Sequence, residues 1–273
     1  MKRIVSTICA ICLCVSLSAQ TYHDIVEKAM DYTLKDSLEQ AEQLFLDALK
    51  LDPVNARNAL LFSNLGTVQM RMGKTDAAIE SYNLALNITP YATSILLNRA
   101  ALYLDKGMKD KAYMDYCNVI DLLPENVEAR LYRAYIYMGR RQFDEARVDY
   151  TVILGKEPKH KSARIGMVLL DQNLGKLTAA HNGLNLLIND YPEDVSLLKM
   201  RANLQLDENF PSAALVDLET VAELDPADAE NFCQIGNVCL QLQKKDQARK
   251  AFEKAISLGV PRAQLHDKLK ACK

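Results

Sequence analysis

Five prolines, Pro90, Pro124, Pro158, Pro192 and Pro226, recur at intervals of 34 residues, with Pro53 37 residues before the run and Pro261 35 residues after it. Proline lacks the backbone N–H that a helix interior needs, and its ring clashes with the preceding turn. Each one therefore marks a place where a helix has ended. Of the eight prolines in 273 residues, only Pro211 stands outside the series. A chain punctuated in this way is an array of like units, and its fold is set by how one unit is built and how the next stacks on it.

Numbering each unit so that its proline holds slot 32 brings the other positions into line. Slot 20 is alanine in all seven units: Ala41, Ala78, Ala112, Ala146, Ala180, Ala214 and Ala248. Slot 8 is Ala29, Gly66, Ala100, Ala134, Val168, Ala202 and Gly236. Small residues at these two slots let the helices of a hairpin approach closely, where larger side chains would overpack. Slot 24 is Phe45, Tyr82, Tyr116, Tyr150, Leu184, Leu218 and Phe252. With slots 20 and 27 it forms a stripe at helical spacing. Slot 15 holds Gly73, Gly107, Gly175 and Asn209, suited to a left-handed turn at a helix end. Slot 18 holds Asp76, Asp110, Asp144, Thr178, Ser212 and Asp246, read as N-caps of the second helix, with Pro211 fitting a helix start just before Ser212. No stretch alternates with period two, so no sheet is expected.

A 34-residue helical hairpin with small residues at slots 8 and 20, an aromatic at slot 24 and proline at slot 32 resembles the tetratricopeptide repeat. The resemblance runs from Tyr22 to Arg262 and implies an all-α solenoid, a superhelix of seven helix-turn-helix repeats. Their expected spans are residues 22–55, 59–92, 93–126, 127–160, 161–194, 195–228 and 229–262, followed over 263–273 by a C-terminal capping helix. In that cap, Ala263 to Ala271 reads as helical with Leu265 and Leu269 facing inward. Some positions depart from the pattern: Arg130 and Arg164 replace the aromatic seen as Phe62 and Phe232 at slot 4, and Lys28 holds a slot usually given to leucine. Repeat five, with Val168 at slot 8 and Asp171 where Tyr103 and Tyr137 stand in other units, is the most divergent and is expected to be the loosest. Extra residues around Val54 to Asn58 suggest a locally altered stacking angle.

The first residues read as an export signal. Lys2 and Arg3 precede an apolar run from Ile4 to Val15, and Ser16 to Ala19 suits cleavage after Ala19, or one residue either way. The run is shorter than the roughly 20 residues a membrane-spanning helix needs, so residues 1–19 are expected to be a removed signal peptide, with an uncleaved membrane anchor as the alternative. Leu13 before Cys14 and Ile11 before Cys12 argue against lipidation. Residues 1–20 hold two bases and no acid, so their removal leaves 31 bases against 35 acids, a formal charge of −4 that points to no nucleic-acid partner. The expected location is periplasmic or secreted. Three cysteines leave with the signal. Cys233 and Cys239 sit too far apart on one helix to bridge, so unpaired thiols are expected unless Cys272 pairs with one of them.

No enzyme constellation is present. His23, His160, His181 and His266 are scattered without metal-ligand spacing, and there is no phosphate loop, dinucleotide fingerprint or serine elbow. No cofactor is implied, and function is expected from surface shape.

The resemblance implies that first helices line a concave groove. Leu97, Leu131 and Ile165 at slot 5, with Tyr135 and Leu169 at slot 9, form either an apolar binding patch or packing between neighbouring first helices. Asn64 and Asn98 at slot 6, and Asn203 and Asn237 at slot 9, resemble asparagine ladders that pair with an extended peptide backbone. Lys199 with Asn203 resembles one end of a carboxylate clamp, but Gln234 stands where the next asparagine is expected. The resulting expectation is a non-catalytic scaffold or adaptor that holds a protein or peptide in this groove. The alternatives are a chaperone or assembly factor for envelope proteins and a small-ligand binder or enzyme.

Overall fold

The computed structural model describes residues 21–273. The apolar run Ile4–Val15 and the expected cleavage position lie outside the described residues. Among the described residues every regular element is helical. α1 covers residues 21–34 and is followed by α2 (Leu38–Leu51), α3 (Asn58–Arg71), α4 (Thr75–Ile88), α5 (Thr93–Asp105), α6 (Lys109–Leu122) and α7 (Val127–Gly139). The remainder comprises α8 (Phe143–Lys156), α9 (Lys161–Asn173), α10 (Leu177–Asp190), α11 (Val195–Asp207), α12 (Pro211–Leu224), α13 (Ala229–Gln241), α14 (Lys245–Ser257) and α15 (His266–Ala271). Helices pack on their neighbours in sequence, α3 on α4 and α5 on α6, and likewise α9 on α10, α11 on α12 and α13 on α14. This is an all-α solenoid of helical-hairpin repeats. The chain divides into two compact units, one ending at Ile136 and the other running from Tyr137 to Lys273, with the division inside α7.

The slots that set the pattern also set the packing. All seven slot-20 alanines are completely buried, and every slot-24 side chain is at most 5% exposed. A side chain on Gly66 would place its Cβ 2.8 Å from the Tyr82 ring, and one on Gly236 would place it 2.4 Å from the Phe252 ring. Slot 8 is therefore small because the slot-24 aromatic of the same hairpin lies on it.

Repeat five solves the same problem in reverse. Its larger Val168 is buried, and space for it is provided by Gly183, whose added Cβ would come within 2.6 Å of Val168 Cγ2. Asp171 receives the Arg147 guanidinium at 2.7 Å. The two residues that made this repeat look loose are thus both matched by partners.

Slot 15 adopts positive φ in all seven hairpins, between 58° and 74°, whether it holds Gly73, Gly107, Gly175, Asn209, Asp36, Arg141 or Gln243. The N-cap expectation needs correction. The second helices begin after Lys74, Met108, Gln142, Lys176, Phe210 and Lys244, none of which caps with its side chain. The slot-18 residues lie inside the first turn, where Asp76, Asp110, Asp144 and Asp246 favour the positive end of the helix dipole. Pro211 itself is the first helical residue of α12. Side-chain caps occur instead two residues after the repeat proline, on the first helices. Asn126 Oδ1 accepts from Ala129 N at 2.8 Å, His160 Nδ1 from Ala163 N at 3.2 Å, Asp194 Oδ1 from Ser196 N at 2.9 Å and Asp228 Oδ1 from Asn231 N at 3.0 Å.

Partly buried arginines pair with an aspartate of their own hairpin and reach an asparagine of the preceding one. Arg99 Nε and Nη2 donate to Asp115 Oδ2 and Oδ1 at 2.8 and 2.7 Å, while Nη1 donates to Asn83 Oδ1 at 2.8 Å. Arg201 repeats the arrangement on Asp217, at 2.8 and 2.6 Å, and on Asn185, at 2.8 Å. In each case a slot-7 arginine grips slot 23 of its own hairpin and slot 25 of the preceding one.

The residues after Pro53 form two turns that close on Asn58, whose amide accepts from Tyr22 Oη at 2.9 Å and donates to Asp52 O at 2.8 Å. The C-terminal cap is not one helix: a 3-10 turn, Arg262–Leu265, precedes α15. Leu265 is buried, and Leu269 packs against the same cluster as Phe252 and Cys239. Cys117, Cys233, Cys239 and Cys272 are all free thiols.

Candidate functional site

The first helices carry the candidate site. In the first unit, slot 6 of a first helix meets the slot-24 aromatic of the preceding hairpin. Tyr132 stacks on Tyr116 with ring centroids 5.5 Å apart and planes at 15°. Asn98 approaches the Tyr82 hydroxyl, which also shares a 3.1 Å hydrogen bond with Thr67. Burial is the larger influence on that phenol and raises its pKa despite both partners. Asn98 is therefore partly engaged within the fold.

Asn64, at the same slot, lines an apolar cavity of about 140 Å³ with Met30, Thr33, Leu34, Phe45 and Thr67. The hole lies between α1 and α3 and is the size of one or two aliphatic side chains. Leu34 is 86% exposed and Met30 47% exposed at its mouth. Sequence reasoning named Asn64 but missed Met30 and Leu34, although Met30 holds slot 9 of the first repeat, the slot of Tyr135 and Leu169.

The apolar first-helix residues divide by slot. Leu97 packs against the cluster around Tyr82 and Tyr116, and Leu104 does the same. Leu131 is half-buried. Tyr135 is 57% exposed, with the Lys109 ammonium 5.8 Å from its ring centroid. In the second unit, Ile165 packs on the cluster around Leu184 and Leu197, whereas Leu169 is 39% exposed. Slot 5 thus serves mainly the margin of the core, and slot 9 presents free apolar surface.

Asn203 and Asn237 are both exposed. Lys199 is not free to receive a ligand carboxylate, because its ammonium pairs with Asp228, the residue that caps α13. Lys161 makes the equivalent pair with Asp194, the cap of α11. Both lysines bind hairpin to hairpin. Among the described residues no group of three or more His, Cys, Asp and Glu is placed to hold a metal ion, and no helix is long and apolar enough to cross a membrane.

Comparison with known proteins gives a consistent result. A family model described as tetratricopeptide repeat matches residues 60–91 and 229–258. A tetratricopeptide repeat protein from Parabacteroides merdae is 32% identical over 93% of this chain and 99% of its own, with a TM-score of 0.71. YrrB, described as a TPR protein with an unusual peptide-binding site, is 18% identical over 70% of this chain and 98% of its own, with a TM-score of 0.54. PilF of Pseudomonas aeruginosa is 17% identical over 78% of this chain and 96% of its own, with a TM-score of 0.59. No curated protein matches in sequence.

Proposed function

The chain belongs to the tetratricopeptide-repeat family, and from that premise we propose that it is an exported, non-catalytic scaffold that binds a segment of another protein along its first helices. The observation that carries this reading is the cavity between α1 and α3. It offers an apolar hole for a side chain with the Asn64 amide on its wall, a combination suited to an extended peptide. Asn98, Leu131 and Tyr135 continue the site in the first unit, with Leu97 supporting it from the core margin. In the second unit Leu169, Asn203 and Asn237 offer the contact surface, with Ile165 and Lys199 supporting it. Export to the periplasm or beyond the cell is supported by Lys2 and Arg3 followed by the Ile4–Val15 run and Ala19.

The test uses residues 21–273 and a captured partner whose bound segment has been mapped and synthesised. Leu131→Ser combined with Tyr135→Ser should weaken that peptide at least about tenfold while leaving helicity intact and lowering the melting temperature only slightly, because the exposed Tyr135 contributes within about 0.5 kcal/mol and the half-buried Leu131 costs less than a full core truncation. Ala146→Leu, which overpacks a completely buried slot, should lower the melting temperature and serves as the stability control. A double variant that melts as early as the control, with binding lost only in proportion to unfolding, would show that these side chains are packing and not a binding surface.

A further inference from the structure

The far C-terminal end of the second unit concentrates positive charge. From Lys244 to Lys273 the sequence holds nine Lys and Arg against three Asp and Glu, in a chain whose formal net charge is −2. Folding gathers part of this excess into one cleft of about 420 Å³, where Arg249 of α14, Arg262 of the 3-10 turn, and His266, Lys270 and Lys273 converge. Glu253 is the single acidic side chain on its wall and Leu269 the single aliphatic one.

Arg249 has a fixed position, since its Nη2 donates to Cys272 O at 2.9 Å and ties the end of the chain to α14. Arg262, Lys270 and Lys273 are exposed, and among the described residues none of them is in an ion pair. Four permanently cationic side chains share the cleft with one acidic side chain, so they raise one another's energy until an anion enters.

We propose that this cleft binds an acidic segment of a partner polypeptide, with successive Asp or Glu carboxylates seated among Arg249, Arg262 and Lys270. Guanidinium groups take carboxylates in paired, charge-assisted hydrogen bonds, and an ammonium adds an undirected charge. The cleft has room for several such groups, more than a single small anion fills. Every cation in it is a side chain, and no glycine-rich loop supplies the backbone N–H cradle typical of nucleotide phosphates. The positive groups line a concavity with one leucine, whereas a membrane-binding surface presents its charges on an open face with apolar side chains to insert. The site lies within α14, the turn, α15 and the residues just after it, so it goes beyond the first-helix groove and stands or falls separately from it.

Fluorescence anisotropy with residues 21–273 and a labelled peptide carrying four consecutive Glu in a Gly/Ser background tests the proposal. The same peptide with Gln in place of Glu is the comparison. The Glu peptide should bind and weaken at least about tenfold in high salt, as screening requires, and the Gln peptide should not bind. Arg262→Glu and Lys270→Glu, both at exposed positions, should each abolish binding with circular dichroism unchanged, while Tyr135→Ser should leave it intact. Equal binding of both peptides, or binding unaffected by either charge reversal, would overturn the proposal. So would displacement of the peptide by inorganic phosphate at equal carboxylate concentration, or association with phosphatidylglycerol vesicles in the absence of any peptide binding.

Discussion

Tyr82 and Tyr116 fill the same slot in consecutive hairpins with different consequences for their hydroxyls. The Tyr82 hydroxyl bonds to Thr67, whereas that of Tyr116 is buried without a protein partner, and burial next to Tyr132 drives its pKa far above the ordinary phenol value. Phe45 and Phe252 occupy the slot elsewhere, so the ring alone suffices. A buried donor without a partner costs about 1 to 3 kcal/mol, while a satisfied one contributes about 1. Tyr116→Phe should therefore leave stability unchanged or raise it, and Tyr82→Phe should lower it by about 1 kcal/mol; urea melts of the two variants giving the opposite order would contradict this. The turn residues offer a second comparison at the same scale. Gln243 and Arg141 hold φ near 58° and 59° with full side chains, at positions where other hairpins have glycine. Left-handed backbone costs such residues roughly 1 kcal/mol, partly offset by the extra freedom glycine has when unfolded. Gln243→Gly should raise the thermal midpoint, and Gly107→Ala should lower it.

At the scale of elements, the connection between one hairpin and the next is electrostatic as well as apolar. Asp194 caps α11 and pairs with Lys161 of α9, and Asp228 caps α13 and pairs with Lys199 of α11. The Lys161 ammonium holds the Asp194 carboxyl below its ordinary pKa, assisted by the amides of α11. For Asp228, burial pushes the pKa up, but Lys199 and the α13 amides outweigh it and the result is again lowered. A carboxyl whose native pKa is depressed stabilises the fold above the unfolded-state pKa of about 3.9 and loses that contribution as pH falls through the native value. Wild type should therefore melt above Asp194→Asn and Asp228→Asn at pH 7, with the gap closing below about pH 4 as the native acids become protonated. A gap independent of pH would mean that the caps act by shape alone.

At the scale of the molecule, a repeat array has no central core, and stability is a sum of hairpins and the interfaces between neighbours. Loss of one pair inside a hairpin should then be felt locally. Asp217→Ala leaves the mostly buried Arg201 guanidinium without its paired carboxylate. Removing one partner of a buried pair costs about 3 to 5 kcal/mol, and somewhat less here because the arginine retains some contact with solvent. Hydrogen exchange followed by mass spectrometry should show α11–α14 opening sooner while α3–α6 keep their protection. Uniform loss of protection throughout the chain would mean that the array unfolds as one cooperative body.

The sequence by itself determined the number of hairpins, their register and their small-residue contacts, because the proline period and the invariant alanines are local rules repeated seven times. It also contained the ion-pair pattern, arginine at 99 and 201 with aspartate 16 residues later at 115 and 217, but a charged pair on amphipathic helices looks the same whether solvated or buried. Only the tertiary structure decided that these pairs are buried, that Lys199 is held by Asp228, and that Val168 is accommodated by Gly183. The same holds for the candidate site. In the middle repeats slots 5 and 9 are both apolar in sequence, yet Leu97 and Ile165 lie against the core while Tyr135 and Leu169 remain exposed. Periodicity says which face of a helix a residue occupies. What that face meets depends on the next hairpin, whose side chains come from 16 or more residues away, and that meeting exists only once the chain has folded.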